Sequence, residues 1–141
     1  MISSISDRYA ALIADGAISP DAAQAAAVEK LGSLEQRLVE QRRASKSSSL
    51  GWLFGSRVKK SPLKGLYIYG KVGRGKTMLM DLFYESSRIS NKRRVHFHEF
   101  MSEVHERIYD FRQKAKAGEI PDEDAIVLTA NAIADDAELL C

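Results

Sequence analysis

Gly70-Lys71-Val72-Gly73-Arg74-Gly75-Lys76-Thr77 has the spacing glycine, four residues, Gly-Lys-Thr, which is the pattern of a phosphate-binding P-loop (Walker A). The chemistry explains the residue types. Bare glycines let the backbone curl around phosphate oxygens so that successive N–H groups point inward, and a following helix aims its positive end at the same place. Lys76 would reach the β and γ phosphates, and the Thr77 hydroxyl would enter the shell of a magnesium ion. With glycine near 7% of average composition, a chance match in a chain of this size is on the order of one in 200. The pattern therefore predicts binding of ATP with magnesium, with Gly70 to Thr77 as the cofactor site, Lys76 and Thr77 as the residues that act on the phosphates, and Thr77 as the metal ligand.

Other groups point less sharply. His96 and His98 lie two apart on an expected strand, hence on one face, with Glu103 and His105 following on a helix. That set suggests a metal site but leaves the third ligand unplaced, and imidazoles at a strand end are commonly just hydrogen-bonded. Lys92-Arg93-Arg94 and the cluster from Arg57 to Lys64 suit a solvated surface better than a nucleic-acid contact. Many serines are present, but no local signature selects one as a nucleophile.

The elements that must carry the loop follow from periodicity. Leu66-Tyr67-Ile68-Tyr69 is rich in strand-forming residues and stops at Gly70, while Met78, Leu79, Leu82 and Phe83 repeat at helical spacing, so the segment reads strand, glycine loop, helix. Upstream, Ile5, Tyr9, Leu12 and Ile13 predict a short amphipathic helix ended by Asp15-Gly16. Asp21 caps a second helix running to about Arg43. Residues 45–64 turn serine-rich and then basic around Trp52 and Phe54, as a linker with one apolar foothold would. Downstream, Arg94 to Phe100 alternates like a strand. Met101, Val104, Ile108 and Phe111 make a helix to Lys116, a further helix is expected from Asp124 to about Ala134, and Glu138 to Cys141 begins another strand. Alternating strands and helices imply an α/β fold, a P-loop NTPase parallel sheet with crossover helices. The division expected is a helical segment at 1–44, the linker at 45–64 and a partial ATPase domain at 65–141.

Bulk properties bound the rest. The 141 residues suffice for one domain, and 45% hydrophobic with 28% charged residues is ordinary globular composition. A formal charge of +2 gives no general attraction to nucleic acid or anionic membrane. The single cysteine, Cys141, allows no internal disulfide and no cysteine-based zinc site, and no stretch has signal-peptide or membrane-spanning character, so a cytoplasmic location is expected, or a matrix one only if a leader has been removed.

The run Gly65-Leu66-Tyr67-Ile68-Tyr69-Gly70 into the glycine loop, Leu79-Met80-Asp81-Leu82-Phe83, and Arg94-Val95-His96-Phe97-His98-Glu99-Phe100-Met101 with Val104-His105 resembles the ZapE-type cell-division ATPases of bacteria and their mitochondrial relatives, of the AAA+ group. Ser19-Pro20-Asp21-Ala22-Ala23-Gln24 and Leu50 to Phe54 extend the resemblance over almost the whole chain. It implies an ATP hydrolase that works as a homo-oligomer on protein partners, associated in bacteria with the division ring. It also makes Gln24 similar to a residue able to read the adenine edge, an exposed helix residue being the other reading. In the family, a Leu-Leu-Cys strand precedes the acidic Walker B residues, whereas here Leu139-Leu140-Cys141 ends the sequence. The resemblance thus implies a fragment without Walker B, sensors or arginine finger, in which the strands at 66–69 and 95–97 lack the ones between them. It implies an ATP-binding chain that scarcely hydrolyses alone, or an inactive nucleotide- or partner-binding module.

Overall fold

The computed structural model describes residues 3–47 and 63–141. These residues form two compact units, split between Ile89 and Ser90. The Trp52 and Phe54 foothold expected in the linker lies outside the described residues.

The first unit begins with α1 (Ile5–Ala14), which is entered through a reciprocal cap. Ser4 Oγ accepts from the Asp7 backbone N–H at 3.2 Å, and Asp7 Oδ2 accepts from the Ser4 N–H at 3.0 Å. Two of the donors that a helix start leaves without partners are satisfied in this way. Gly16, at φ 71°, ends the helix in the left-handed region that glycine alone enters freely. Helix α2 (Ala22–Ser47) is long because its alanines and straight-chain residues favour helix, and it buries Val28, Leu31, Leu34 and Glu35. The spacing of those positions makes one stripe. Helix α3 (Lys76–Ser86) buries Leu79, Phe83 and Ser86, and α1, α2 and α3 pack pairwise against one another. The buried Glu35 is no orphan, because its Oε1 accepts the backbone N–H of Arg88 at 2.8 Å just beyond α3.

The second unit contains β1 (Lys92–Arg93), α4 (Phe97–Lys116), α5 (Ala125–Asp136) and β2 (Leu139–Leu140). The strands pair in parallel, Lys92 with Leu139 and Arg93 with Leu140. Glu99 in the first turn of α4 and Lys114 and Lys116 in its last complement the helix dipole. Asp124 caps α5 by accepting the Ile126 N–H, and the Thr129 hydroxyl donates back to the Ala125 carbonyl at 2.7 Å. Charged groups tie the unit together. Arg93 donates through Nη1 to Glu103 at 2.9 Å, and Arg107 lies 2.7 Å from Glu103 and also pairs with Asp136.

The fold class expected from the sequence is overturned. Leu66 to Tyr69 carries no strand, and the one sheet among the described residues is the pair of two-residue strands β1 and β2. Among the described residues the P-loop NTPase sheet with crossover helices is absent, and with it the AAA+ and Walker A architecture that was expected. The physical reason is that strand preference records a fit to neighbouring strands and is not intrinsic to the segment. Tyr67 and Tyr69 are 88% and 84% exposed, stacked on each other at 6.3 Å, with no ladder beside them. The strand expected over Arg94 to Phe100 is likewise replaced: β1 stops at Arg93, and α4 starts at Phe97. Phe97, Phe100, Met101, Val104, Ile108 and Phe111 extend the three-and-four spacing backward, and that periodicity prevails over four residues of alternation.

Two outcomes test this account. Gly32 sits within α2, and a Cβ there would lie 3.7 Å from Ile5 Cγ2, an ordinary contact. Gly32→Ala is expected to raise stability by about 0.5–1 kcal/mol through helix propensity, read as a higher urea midpoint. The hydrogen bond from Arg93, followed by the charges of Arg93 and Arg107 acting against a burial penalty, holds the Glu103 carboxyl below its ordinary value. A depressed carboxyl pKa stabilises the native state above the unfolded-state value, and that stabilisation is lost as pH falls through the folded value. Between about pH 6 and pH 3, Glu103→Gln is expected to flatten the fall in stability of the second unit, followed by hydrogen exchange in α4.

Candidate phosphate-binding loop

The glycine loop joins a segment without regular secondary structure to the N-terminus of α3 and belongs wholly to the first unit. Gly73 at φ 80° and Gly75 at φ 79° turn the chain through the left-handed region, and Gly75 is the N-cap of α3. No side chain caps that helix start. Its free N–H groups are therefore available to an anion. Nothing lies within 4 Å of a Cβ built on Gly70 or Gly73, so a ligand can approach the backbone there directly. Val72, at 99% exposure, marks the outer tip.

Lys76 is half-buried, and its Nζ donates to the carbonyls of Gly70 and Lys71, each at 2.8 Å. The ammonium therefore closes the loop back on its own start. Thr77 is exposed on the first turn of α3. Arg74 points to α2: its Nη2 meets Asp21 Oδ2 at 2.8 Å, and its carbonyl accepts from Gln24 Nε2 at 3.2 Å. Gln24 Oε1 in turn accepts from the Tyr9 hydroxyl at 3.2 Å. Asp21 is held below the ordinary carboxylate range, first by the backbone hydrogen bond from Gln24, with a smaller contribution from the Arg74 charge.

Beside the loop is an open cavity of about 450 Å³. Ala23, Ala27, Ile68, Tyr69 and Leu79 give it apolar wall, and Asp21, Gln24, Lys71, Arg74 and Lys76 give it polar groups. The size suits a nucleoside-sized guest. Asp21 is the one carboxylate in that lining, and it is engaged by Arg74. Thus Gly70 to Thr77 forms one continuous loop and helix start, with Lys76 turned to the loop and Gln24 drawn against it. The His96, His98, Glu103 and His105 set is not assembled. His96 is the N-cap of α4 and the other three lie along that helix, and no group of three metal-ligating side chains occurs among the described residues. Sequence reading missed the Asp21–Arg74 pair, although opposite charges at the start of α2 and in a glycine loop offered a faint signal.

A family model for the AFG1-like ATPases matches residues 3–141. The cell division protein ZapE of Escherichia coli K12 is 41% identical over 108 residues, covering 72% of this chain and 29% of that protein. The lactation elevated protein 1 homolog B of Danio rerio is 46% identical over 86 residues, 59% of this chain and 17% of that protein. The chain thus spans less than a third of the length of these relatives. No solved structure matches. No helix among the described residues is long and apolar enough to cross a membrane.

The left-handed glycines set a test. A Cβ on Gly75 would lie 2.7 Å from Gln24 Nε2, whereas one on Gly73 meets nothing. Both Gly→Ala changes incur the left-handed penalty of about 1–2 kcal/mol. Gly75→Ala is expected to lower the urea midpoint more than Gly73→Ala, because it also displaces Gln24 from the Arg74 carbonyl.

Proposed function

Because this chain belongs to the AFG1-like ATPase family, we propose that it is a nucleotide-binding module that holds the phosphates of ATP at Gly70 to Thr77. The observation that supports this most is the pairing of uncapped, left-handed glycines at the start of α3 with a lysine already turned toward the loop. The backbone N–H groups from Gly73 to Thr77 would receive phosphate oxygens. Lys76 would exchange its two carbonyl partners for the β and γ phosphates, a charge-assisted contact stronger than the one it leaves. The neighbouring cavity, walled by Ala23, Ala27, Ile68, Tyr69 and Leu79, would take the base.

The residues fit the triphosphate better than they fit a complete hydrolytic centre. Thr77 would give magnesium one oxygen ligand, but the cavity contributes no free carboxylate to complete its shell or to orient an attacking water. Phosphoryl transfer depends on positioned charge around both. Binding without turnover is the activity assigned to the chain by itself. For a protein of the relatives' full length, we assign ATP hydrolysis coupled to a protein partner in a homo-oligomer, in line with the cell-division name carried by the Escherichia coli relative.

Titration of the chain with magnesium-ATP in a calorimeter, beside a phosphate-release assay, tests the reading. Saturable binding with no release above background is expected. Lys76→Ala is expected to weaken binding by about ten- to a hundredfold, the worth of a charge-assisted hydrogen bond or two. Equal affinity in the Lys76 variant would remove the loop from consideration.

A further inference from the structure

We propose that Asp21 and Gln24, at the start of α2, are positioning residues that hold the phosphate-binding loop in its receptive shape, an inference that rests on the nucleotide reading above. Neither needs to touch the phosphates. Arg74, in the middle of the loop, is gripped at two points by residues 50 and 53 positions earlier in the chain. Its guanidinium meets Asp21 Oδ2 at 2.8 Å, and its carbonyl oxygen accepts from Gln24 Nε2 at 3.2 Å.

Both gripping residues are themselves fixed. Asp21 Oδ1 accepts the backbone N–H groups of Ala23 at 2.8 Å and Gln24 at 3.0 Å, so the carboxylate is bound to the first turn of α2 before it meets Arg74. Gln24 Oε1 is engaged by the hydroxyl of Tyr9, a buried α1 residue, at 3.2 Å, with the Asp21 carbonyl 3.4 Å from the same hydroxyl. The amide of Gln24 is thereby oriented to donate toward the loop. A trans peptide is planar, with its N–H opposite its carbonyl. Pinning the Arg74 oxygen against Gln24 consequently directs the Gly75 N–H away from α2 and fixes one of the donors expected to meet phosphate. Gly75 admits this approach because it has no Cβ. Ordering a loop before the ligand arrives lowers what binding must supply.

A different role for the same contact has the opposite sign. If Asp21 competed with phosphate for Arg74, removing its charge would tighten nucleotide binding. Asp21→Asn separates the two, since asparagine keeps the cap on α2 while losing the ion pair. In the 141-residue chain, Asp21→Asn and Gln24→Ala are each expected to weaken magnesium-ATP binding about fivefold, the scale of one exposed ion pair or hydrogen bond, with the urea midpoint of Asp21→Asn lowered only slightly. Without nucleotide, trypsin cleavage after Arg74, followed by mass spectrometry, is expected to accelerate in both variants while cleavage after Lys30 in α2 stays constant. Tighter binding in Asp21→Asn would overturn the proposal, as would unchanged binding whatever the cleavage. If the wild-type chain binds no magnesium-ATP, the nucleotide reading fails. The cleavage arm then decides separately whether α2 holds the loop.

Discussion

Helix α3 can present a shaped loop at its N-terminus only if the helix itself cannot rotate or slide, and the burial of Leu79 and Phe83 against α1 and α2 is what prevents it. Removing such side chains from water contributes on the order of 1.5–3 kcal/mol each. Ile5 and Tyr9 from α1, and Val28, Leu31 and Leu34 from α2, form the other walls of this small core. The glycines then convert a rigid helix end into a turned loop, and the polar contacts of Asp21, Gln24 and Lys76 set its detail. Apolar packing places the helix, and hydrogen bonds aim the backbone.

The second unit is built with a different balance. Its buried residues are few, chiefly Ala125, Thr129 and Leu139, and α4 buries no residue fully. The Arg93, Glu103, Arg107 and Asp136 network therefore carries more of the definition there than such pairs ordinarily do. Exposed ion pairs contribute little each, but Arg93 and Arg107 sharing the Glu103 carboxylate, with Arg107 also bound to Asp136, restrict geometry together. Parallel strands of two residues add little cohesion.

What the sequence made legible divides along physical lines. Local signals worked: Asp21 as the cap before α2, Asp15-Gly16 as the stop after α1, and the three-and-four spacing of α3 and α4 each act within a turn or two of chain. The glycine loop was legible because its residue types answer directly to backbone conformation. The sheet was not, because a strand at Leu66 to Tyr69 depends on partners distant in sequence, and no property of four residues reveals whether those partners are present. The short alternation at Arg94 to Phe100 was read with period two, whereas the longer helical repeat of α4 absorbed its second half. The grip of α2 on Arg74 was equally hidden, since it joins residues about fifty positions apart through side-chain ends.

The posture of Lys76 has a consequence for which anions the loop can admit. An ammonium already satisfied by two carbonyls is not an open trap for any passing negative ion. A guest must repay both hydrogen bonds before it gains from the charge. A weakly basic halide, which offers one diffuse charge, does so poorly. A chain of phosphates offers several oxygens at once, to the lysine and to the backbone donors together. Under the proposed binding mode, the lysine's internal contacts would therefore act as a threshold that favours polyphosphates over singly charged ions.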